Sequence, residues 1–193
     1  MKTFNPVRMV QAAAVAALYV VLTILSNSLG LASGIIQVRI SEALCVLPFF
    51  SPSLSIGLYI GCILANLITG CAPWDIVFGS FATLIGALVC AWIGTKAKGL
   101  AADSKAYKRL ALLSPVPNVI SNTLIVPPIL IYVYGMGLSD VSLITDKIYP
   151  FQSAYILFTI TVFLGEVISG YVFGILLFPA FHRVMRRSGN TEE

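Results

Sequence analysis

Residues 74–93, WDIVFGSFATLIGALVCAWI, carry a single formal charge, Asp75, at the second position of the stretch. A helix crossing the roughly 30 Å hydrocarbon core needs about 20 consecutive apolar residues, because each backbone polar group must be satisfied within the segment. The stretch therefore reads as a transmembrane helix. Working outward from it, similar apolar runs occupy residues 9–25, 40–50, 54–69, 110–133 and 151–181, six in all. The run 40–50 is too short to cross fully by itself, and 151–181 is long enough to tilt strongly or to project beyond the bilayer. Between the runs stand turn-forming and polar stretches: Ser51-Pro52-Ser53, Gly70-Cys71-Ala72-Pro73, the charged residues from Lys96 to Arg109, and the acidic, glycine-containing residues from Gly135 to Pro150.

The whole chain agrees with this reading. Of 193 residues, 58% are hydrophobic and 10% charged, with a mean hydropathy of +0.94. Soluble domains average about 25% charged residues, so this chain cannot cover a water-facing surface. Cytosolic enzymes, nucleic-acid-binding domains and disordered regulators are excluded together. One domain, residues 1–193, is expected: an all-α integral membrane protein of six transmembrane helices. Cys45, Cys62, Cys71 and Cys90 lie in or beside apolar runs without metal-ligand spacing, and His182 is the only histidine, so reduced, packed thiols and no metal or cofactor are expected.

Six crossings put both termini on one side, and the lysines and arginines decide which. Lys2, Arg8, Lys96, Lys98, Lys105, Lys108, Arg109, Arg183, Arg186 and Arg187 fall on the side of the termini; Arg39 and Lys147 fall opposite. Both termini are thus expected in the cytoplasm of a bacterial cell membrane. Residues 1–32 start like a signal peptide, but their apolar run exceeds the usual span of about 7–15 residues, so they are read as the first helix. Of the acids, Glu42, Asp75, Asp140, Asp146 and Glu166 fall outside or within the membrane, whereas Asp103, Glu192 and Glu193 are cytoplasmic. Polar chemistry is concentrated in the outer half.

Arg39 and Glu42 are three apart at the outer start of the second run, within mutual reach on a helix. They form either a self-contained salt bridge or the wall of an outward-facing pocket. Asp75 can cap the fourth helix, and Trp74 can anchor at the interface; beside each other they also suit a flat, hydrogen-bond-donating heterocycle. Glu166 lies about 21 Å along the last helix from Gln152 at 1.5 Å per residue, deep in the hydrocarbon, where a carboxyl group needs partners. Asn66, Asn118 and Asn122 are the intramembrane amides available. A structural polar cluster and a substrate contact both account for Glu166. Pro115 and Pro117 should kink the fifth helix.

Small-residue stripes permit close helix contact. Ala12 and Ala16, and Ala13 and Ala17, form two in the first run; Gly57, Gly61 and Ala65, and Gly170 and Gly174, form others. One of them is expected to remain free for a partner protein. The P-loop pattern GxxxxGK[ST] is absent, as are HExxH and GxSxG. Paired carboxylates without metal ligands or a nucleophile–base pair leave no reaction to assign, so no enzyme is expected.

The segment Gln37-Val38-Arg39-Ile40-Ser41-Glu42-Ala43-Leu44-Cys45-Val46-Leu47-Pro48, with Gly57-Leu58-Tyr59-Ile60-Gly61-Cys62, Asn66-Leu67, residues 75–80, residues 122–126 and the pair Gly165-Glu166, resembles the QueT family. These are substrate-binding S components of energy-coupling-factor (ECF) transporters associated with queuosine precursors. The resemblance runs from the alanine-rich first helix to the basic C-terminus, and the RISEAL-x-VLP segment is its most specific part. It implies the six-helix S-component fold with cytoplasmic termini. It further implies a transmembrane coupling protein and two cytoplasmic ATPases as partners, and a deazaguanine substrate, the aminomethyl form being expected, captured from outside and released inward when the subunit topples. Ala12, Ala13, Ala16 and Ala17 are the expected docking face.

For such a ligand, carboxylates accept the N–H donors of a guanine-like edge and pair with an ammonium, while a ring stacks on the heterocycle. Arg39, Glu42, Asn66, Trp74, Asp75, Asn122, Tyr155 and Glu166 are the expected substrate-binding residues, with Tyr59 a further ring. Two alternatives stay open: an S component for another vitamin or nucleobase-like nutrient, and a standalone ion-coupled carrier using Glu166.

Overall fold

In the computed structural model the chain is a bundle of helices, with no strand among the described residues. The structure describes residues 6–32, 36–133, 135 and 150–189, with the backbone alone described at 150–154 and 186–189. Lys2, Asp140, Asp146, Lys147, Glu192 and Glu193, and the side chains of Gln152, Arg186 and Arg187, lie outside the described residues. In chain order come α1 (Pro6–Ser28), a 3-10 helix (Ile40–Phe49), α2 (Leu54–Ile68), α3 (Pro73–Ala97), α4 (Lys105–Leu113), α5 (Val116–Tyr132), α6 (Pro150–Glu166), a π-helical turn (Val167–Val172) and α7 (Phe173–Gly189).

Among the described residues, four helical stretches are long and apolar enough to cross a membrane: Pro6–Ser28, Pro73–Ala97, Lys105–Tyr132 and Tyr155–Met185. This is the architecture of a multi-pass membrane protein. The outward surface agrees, with large apolar side chains such as Val10, Leu67, Trp92 and Leu176 exposed along α1, α2, α3 and α7. The expected runs 40–50 and 54–69 are helical but shorter, at 10 and 15 residues. They rise about 20 Å at 2.0 Å per residue and about 22 Å at 1.5 Å per residue, short of the hydrocarbon thickness.

The 3-10 helix is the pillar of the bundle. Ser41 to Phe49 are all buried, with α1, α2, α3, α7 and the π turn packed around them. Ten residues is long for this geometry, which seldom exceeds three or four. Close approach to the pillar needs residues without side chains. A Cβ on Gly94 of α3 would lie 2.0 Å from the Phe49 carbonyl oxygen, and one on Gly165 of α6 would lie 2.2 Å from that of Gln37.

α1 and α2 run parallel, one side of α1 seated on the α2 glycines: a Cβ at Gly57 would meet the Ala12 carbonyl at 2.4 Å, and one at Gly61 the Ala16 carbonyl at 2.9 Å. Both helices end in the same way. Leu31 N–H donates to Ser26 O and Gly30 N–H to Asn27 O, while Cys71 N–H donates to Asn66 O and Gly70 N–H to Leu67 O. These are Schellman closures, with Gly30 and Gly70 at φ 72° and 74°, the left-handed region that favours glycine. They place Ser26 and Asn66 in the last turns at one end of the bundle, where Ser26 Oγ accepts from Ile40 N–H at 2.9 Å.

Two proline expectations resolve differently. Run 110–133 is divided into α4 and α5 at Ser114 and Pro115, where proline supplies no N–H to continue the ladder. Pro117 lies inside the first turn of α5, while Pro127 and Pro128 are accommodated further along the same helix. At the opposite end from the Schellman closures, Phe49, Phe50, Tyr107, Phe178 and His182 form a ring cluster with centroid separations of 4.8–6.0 Å. Arg8, Lys96, Lys98, Lys105, Lys108, Arg109 and Arg183 belong to the helix ends and linkers of this half.

Candidate functional site

Below the Schellman end lies a polar cavity of about 50 Å³, walled by Arg39, Glu42, Asp75, Asn122 and Glu166 together with Gln37, Cys62, Gly79 and Thr83 and three aliphatic side chains, Val126, Leu130 and Val162. A second space of about 230 Å³ adjoins it towards the helix ends, sharing Gln37, Arg39, Asp75 and Leu130 as walls. The inner cavity alone has room for little more than water; with the outer space it approaches the lower limit of small-molecule pockets, roughly 300 Å³. The segment before the 3-10 helix, the 3-10 helix itself, α2, α3, α5 and α6 each supply a wall, so residues distant in sequence converge in the interior of an apolar bundle.

Glu42 is 2% exposed, and its carboxylate is held by the protein itself. Tyr19 OH donates to Oε1. Asn118 Nδ2 donates to Oε2 at 2.8 Å, and Cys45 Sγ reaches the same oxygen at 3.3 Å. The Cys45 contact follows from the local geometry, because residues i and i+3 eclipse in a 3-10 helix. Arg39 is not in that helix: its φ of −106° and ψ of 105° are extended. Its Nη1 donates to Asn66 Oδ1 at 3.2 Å. The Arg39–Glu42 salt bridge considered from the sequence is therefore not formed among the described residues; each side chain has other partners.

Asp75 is not the N-cap of α3. Ala72 occupies that position and Pro73 the first helical one, so Asp75 stands in the first turn, with its N–H donating to Ala72 O at 2.9 Å. A carboxylate is stabilised there by the positive end of the helix dipole. It is 8% exposed. Gly79, one turn on, makes room for it: a Cβ there would lie 2.9 Å from Asp75 Oδ1 and 3.7 Å from Asn66 Nδ2. Asp75 thus leans along α3 towards the Arg39–Asn66 pair.

Glu166 closes the far wall. Its Oε2 accepts from Asn118 Nδ2 at 3.3 Å, so one amide joins Glu166 to Glu42. The π turn begins at the next residue, and its Gly170 lies beneath this group: a Cβ there would come 3.6 Å from Glu166 Oε2 and 3.8 Å from Asn118 Nδ2. Single π turns inside α-helices recur at functional sites. Asn122, one turn along α5 from Asn118, is 4% exposed, and its Nδ2 has no hydrogen-bond partner among the described residues. A buried amide donor without a partner costs free energy, and this one belongs to a cavity wall, where a bound acceptor would satisfy it.

The remaining expected residues lie elsewhere. Trp74 is 59% exposed and stacks on Phe78, with centroids 6.0 Å apart and planes 18° apart. It faces outward because adjacent helical residues diverge by about 100°, so Asp75 and Trp74 cannot both face the cavity. Tyr155 is half-buried and is not a wall of either space. Tyr59 is half-buried against Phe81 at 6.0 Å. The cavity walls described are thus aliphatic and polar, without a stacking ring. The alanine face also divides. Ala12 and Ala16 pack on α2 and are spent on internal contact, whereas Ala13 and Ala17 are exposed.

Sequence reasoning missed Tyr19, Asn118 as a bridge, and Gln37. Tyr19 was detectable: with Thr23 and Ser26 it forms a polar stripe along the buried face of α1, and Thr23 Oγ1 donates to Ser41 Oγ at 2.8 Å. Gln37 carried no such sign, since its position is set by backbone packing against Gly165.

The family model described as QueT transporter matches residues 9–183 of this chain. A relative from Lactococcus lactis subsp. cremoris (strain MG1363), named Queuosine precursor transporter QueT, is 36% identical over 86 residues, which cover 44% of this chain and 50% of the relative. The matched part of the chain thus spans about half the length of that curated relative. No solved structure matches. A family match extending over nearly the whole chain, on a multi-pass helical bundle with a buried polar cavity, makes this chain a member of the QueT transporter family.

Proposed function

We propose that the chain is the substrate-capture subunit of an ECF-type importer for a queuosine precursor, a deazaguanine with the aminomethyl form favoured. The observation that carries this reading is the convergence of Arg39, Asp75, Asn122 and Glu166 on one buried cavity in a chain of the QueT transporter family. A deazaguanine offers N–H donors along one edge, a carbonyl acceptor and, in the aminomethyl form, an ammonium. Asp75 and Glu166 match the donors and the cation, and the Asn122 amide and Arg39 match the carbonyl. The family resemblance supports the substrate class, and the wall residues make it chemically reasonable.

In this reading the six apolar segments make six passes, the two short ones completed by the residues that flank them, as one domain with both termini in the cytoplasm. The basic helix ends and linkers opposite the cavity support that orientation. The cavity then opens outward, and the absence of a P-loop calls for energising partners: a coupling protein, for which exposed Ala13 and Ala17 are the available docking stripe, and two ATPases.

Calorimetry of the purified chain with aminomethyl-deazaguanine, guanine and riboflavin tests the reading. Saturable binding of the deazaguanine, absent for riboflavin and weakened in a folded Asp75→Asn variant by about tenfold or more, is expected from the loss of a charge-assisted hydrogen bond. Failure to bind any deazaguanine overturns the substrate assignment. Accumulation by proteoliposomes of the chain alone under a proton gradient, without ATP, would replace the ECF partnership with an ion-coupled carrier.

A further inference from the structure

The geometry points to a second binding site, for one anionic phospholipid, in the groove between α4 and α7 at the basic end of the bundle. The groove encloses about 840 Å³. Its floor is the aromatic cluster: Phe178 packs edge-on against Phe49 with centroids 5.3 Å apart, and Tyr107 meets Phe49 at 5.7 Å and His182 at 6.0 Å. The lining is otherwise mainly apolar, with Ala111, Leu112, Ile175 and Pro179, and two cations, Lys108 from α4 and Arg183 from α7, stand on opposite walls.

That combination suits an amphiphile with a negative head. An acyl chain occupies the apolar trough while the phosphodiester lies between the ammonium and the guanidinium. Neither cationic side chain has a hydrogen-bond or ion-pair partner among the described residues, so both are available. Asp103, the nearest acid in sequence, is not one of the groove's walls. Helix α4 separates its chemistry in the way such a site needs: Lys105, Lys108 and Arg109 share a nine-residue helix with Leu110, Ala111, Leu112 and Leu113. Basic pockets between helices on the cytoplasmic side are general sites for anionic lipid head groups. An exposed guanidinium and an exposed ammonium in a mainly apolar lining distinguish this groove from the groove between α3 and α5, which is lined by apolar side chains and Ser121 and has no cation.

Native mass spectrometry of the purified full chain, titrated with phosphatidylglycerol, phosphatidylcholine or soluble glycerol phosphate, tests the site. Phosphatidylglycerol should be retained about tenfold or more above phosphatidylcholine, and the double variant Lys108→Gln/Arg183→Gln should abolish that preference. Arg8→Gln, which removes a cation of the same half outside the groove, should leave it unchanged. Equal retention of the two lipids, an unaltered preference in the double variant, or an equal loss in Arg8→Gln overturns the proposal. Binding of glycerol phosphate as tight as that of the lipid also overturns it, since the trough would then contribute nothing. Should the double variant not fold, Lys108→Gln and Arg183→Gln are measured singly, each with a severalfold loss expected and no loss in either overturning the site.

Discussion

Asn118 Nδ2 lies 2.8 Å from Glu42 Oε2 and ties α5 to the buried 3-10 helix across 76 residues of sequence. The same nitrogen reaches Glu166 Oε2 at 3.3 Å, so one amide holds two carboxyl groups in register. Replacing it by alanine leaves both with a missing donor in the interior, at a cost of about 1–3 kcal/mol for an unsatisfied buried group. Asn118→Ala should therefore melt several degrees below the parent in detergent and bind ligand more weakly, as followed by thermal unfolding with and without deazaguanine. Unchanged melting would remove Asn118 from its bridging role.

Trp74 and Asp75 are neighbours in sequence facing different surroundings, one exposed and stacked on Phe78, the other in the cavity wall. Trp74→Ala is expected to keep ligand affinity within about twofold, against the tenfold or larger loss for Asp75→Asn. Equal losses in calorimetry would restore the tryptophan to the site.

Gly165 and Gly174 sit on one long helical stretch and differ in what a methyl group would meet. At Gly165 it meets the backbone carbonyl of Gln37 at 2.2 Å, and at Gly174 the Cγ1 of Val46 at 2.8 Å. A side chain can rotate away; a backbone segment moves only by carrying Arg39 with it. Gly165→Ala should weaken ligand binding more than Gly174→Ala at matched expression. The reverse order would show that the segment bearing Arg39 does not shape the cavity.

The alanines of α1 separate by the same logic. Ala16→Leu drives a large side chain into the contact with Gly61 and should lower the melting temperature, overpacking costing typically about 1–3 kcal/mol. Ala13→Leu and Ala17→Leu point outward, and should leave melting and ligand binding intact while weakening pull-down of the coupling protein. Full pull-down in both outward variants would end the docking assignment.

What could be read in advance follows from the cost of polarity in lipid. Arg39, Glu42, Asp75, Asn122 and Glu166 attract notice in the sequence because ionisable and amide groups are expensive in hydrocarbon, and all five border the same cavity. The apolar runs were legible for the same reason. Facing was not. Hydrophobic periodicity carries little information in a helix apolar on all sides, so whether Trp74 or Asp75 turned inward depended on where α3 begins, which Pro73 decides. Nor does composition announce a long 3-10 helix or a π turn, since both arise from packing around residues whose own propensities are ordinary. Tyr19 stands in plain view inside an apolar run, and its i, i+4, i+7 spacing with Thr23 and Ser26 marks the polar stripe that lies on the buried face of α1.

The buried 3-10 helix also sets an axial length. Ten residues wound at 2.0 Å each are about 5 Å longer than the same ten wound at 1.5 Å, and each residue turns through about 120° instead of 100°. The pillar of the fold is thus also an axial spacer whose length sets how far apart the two ends of the bundle are held.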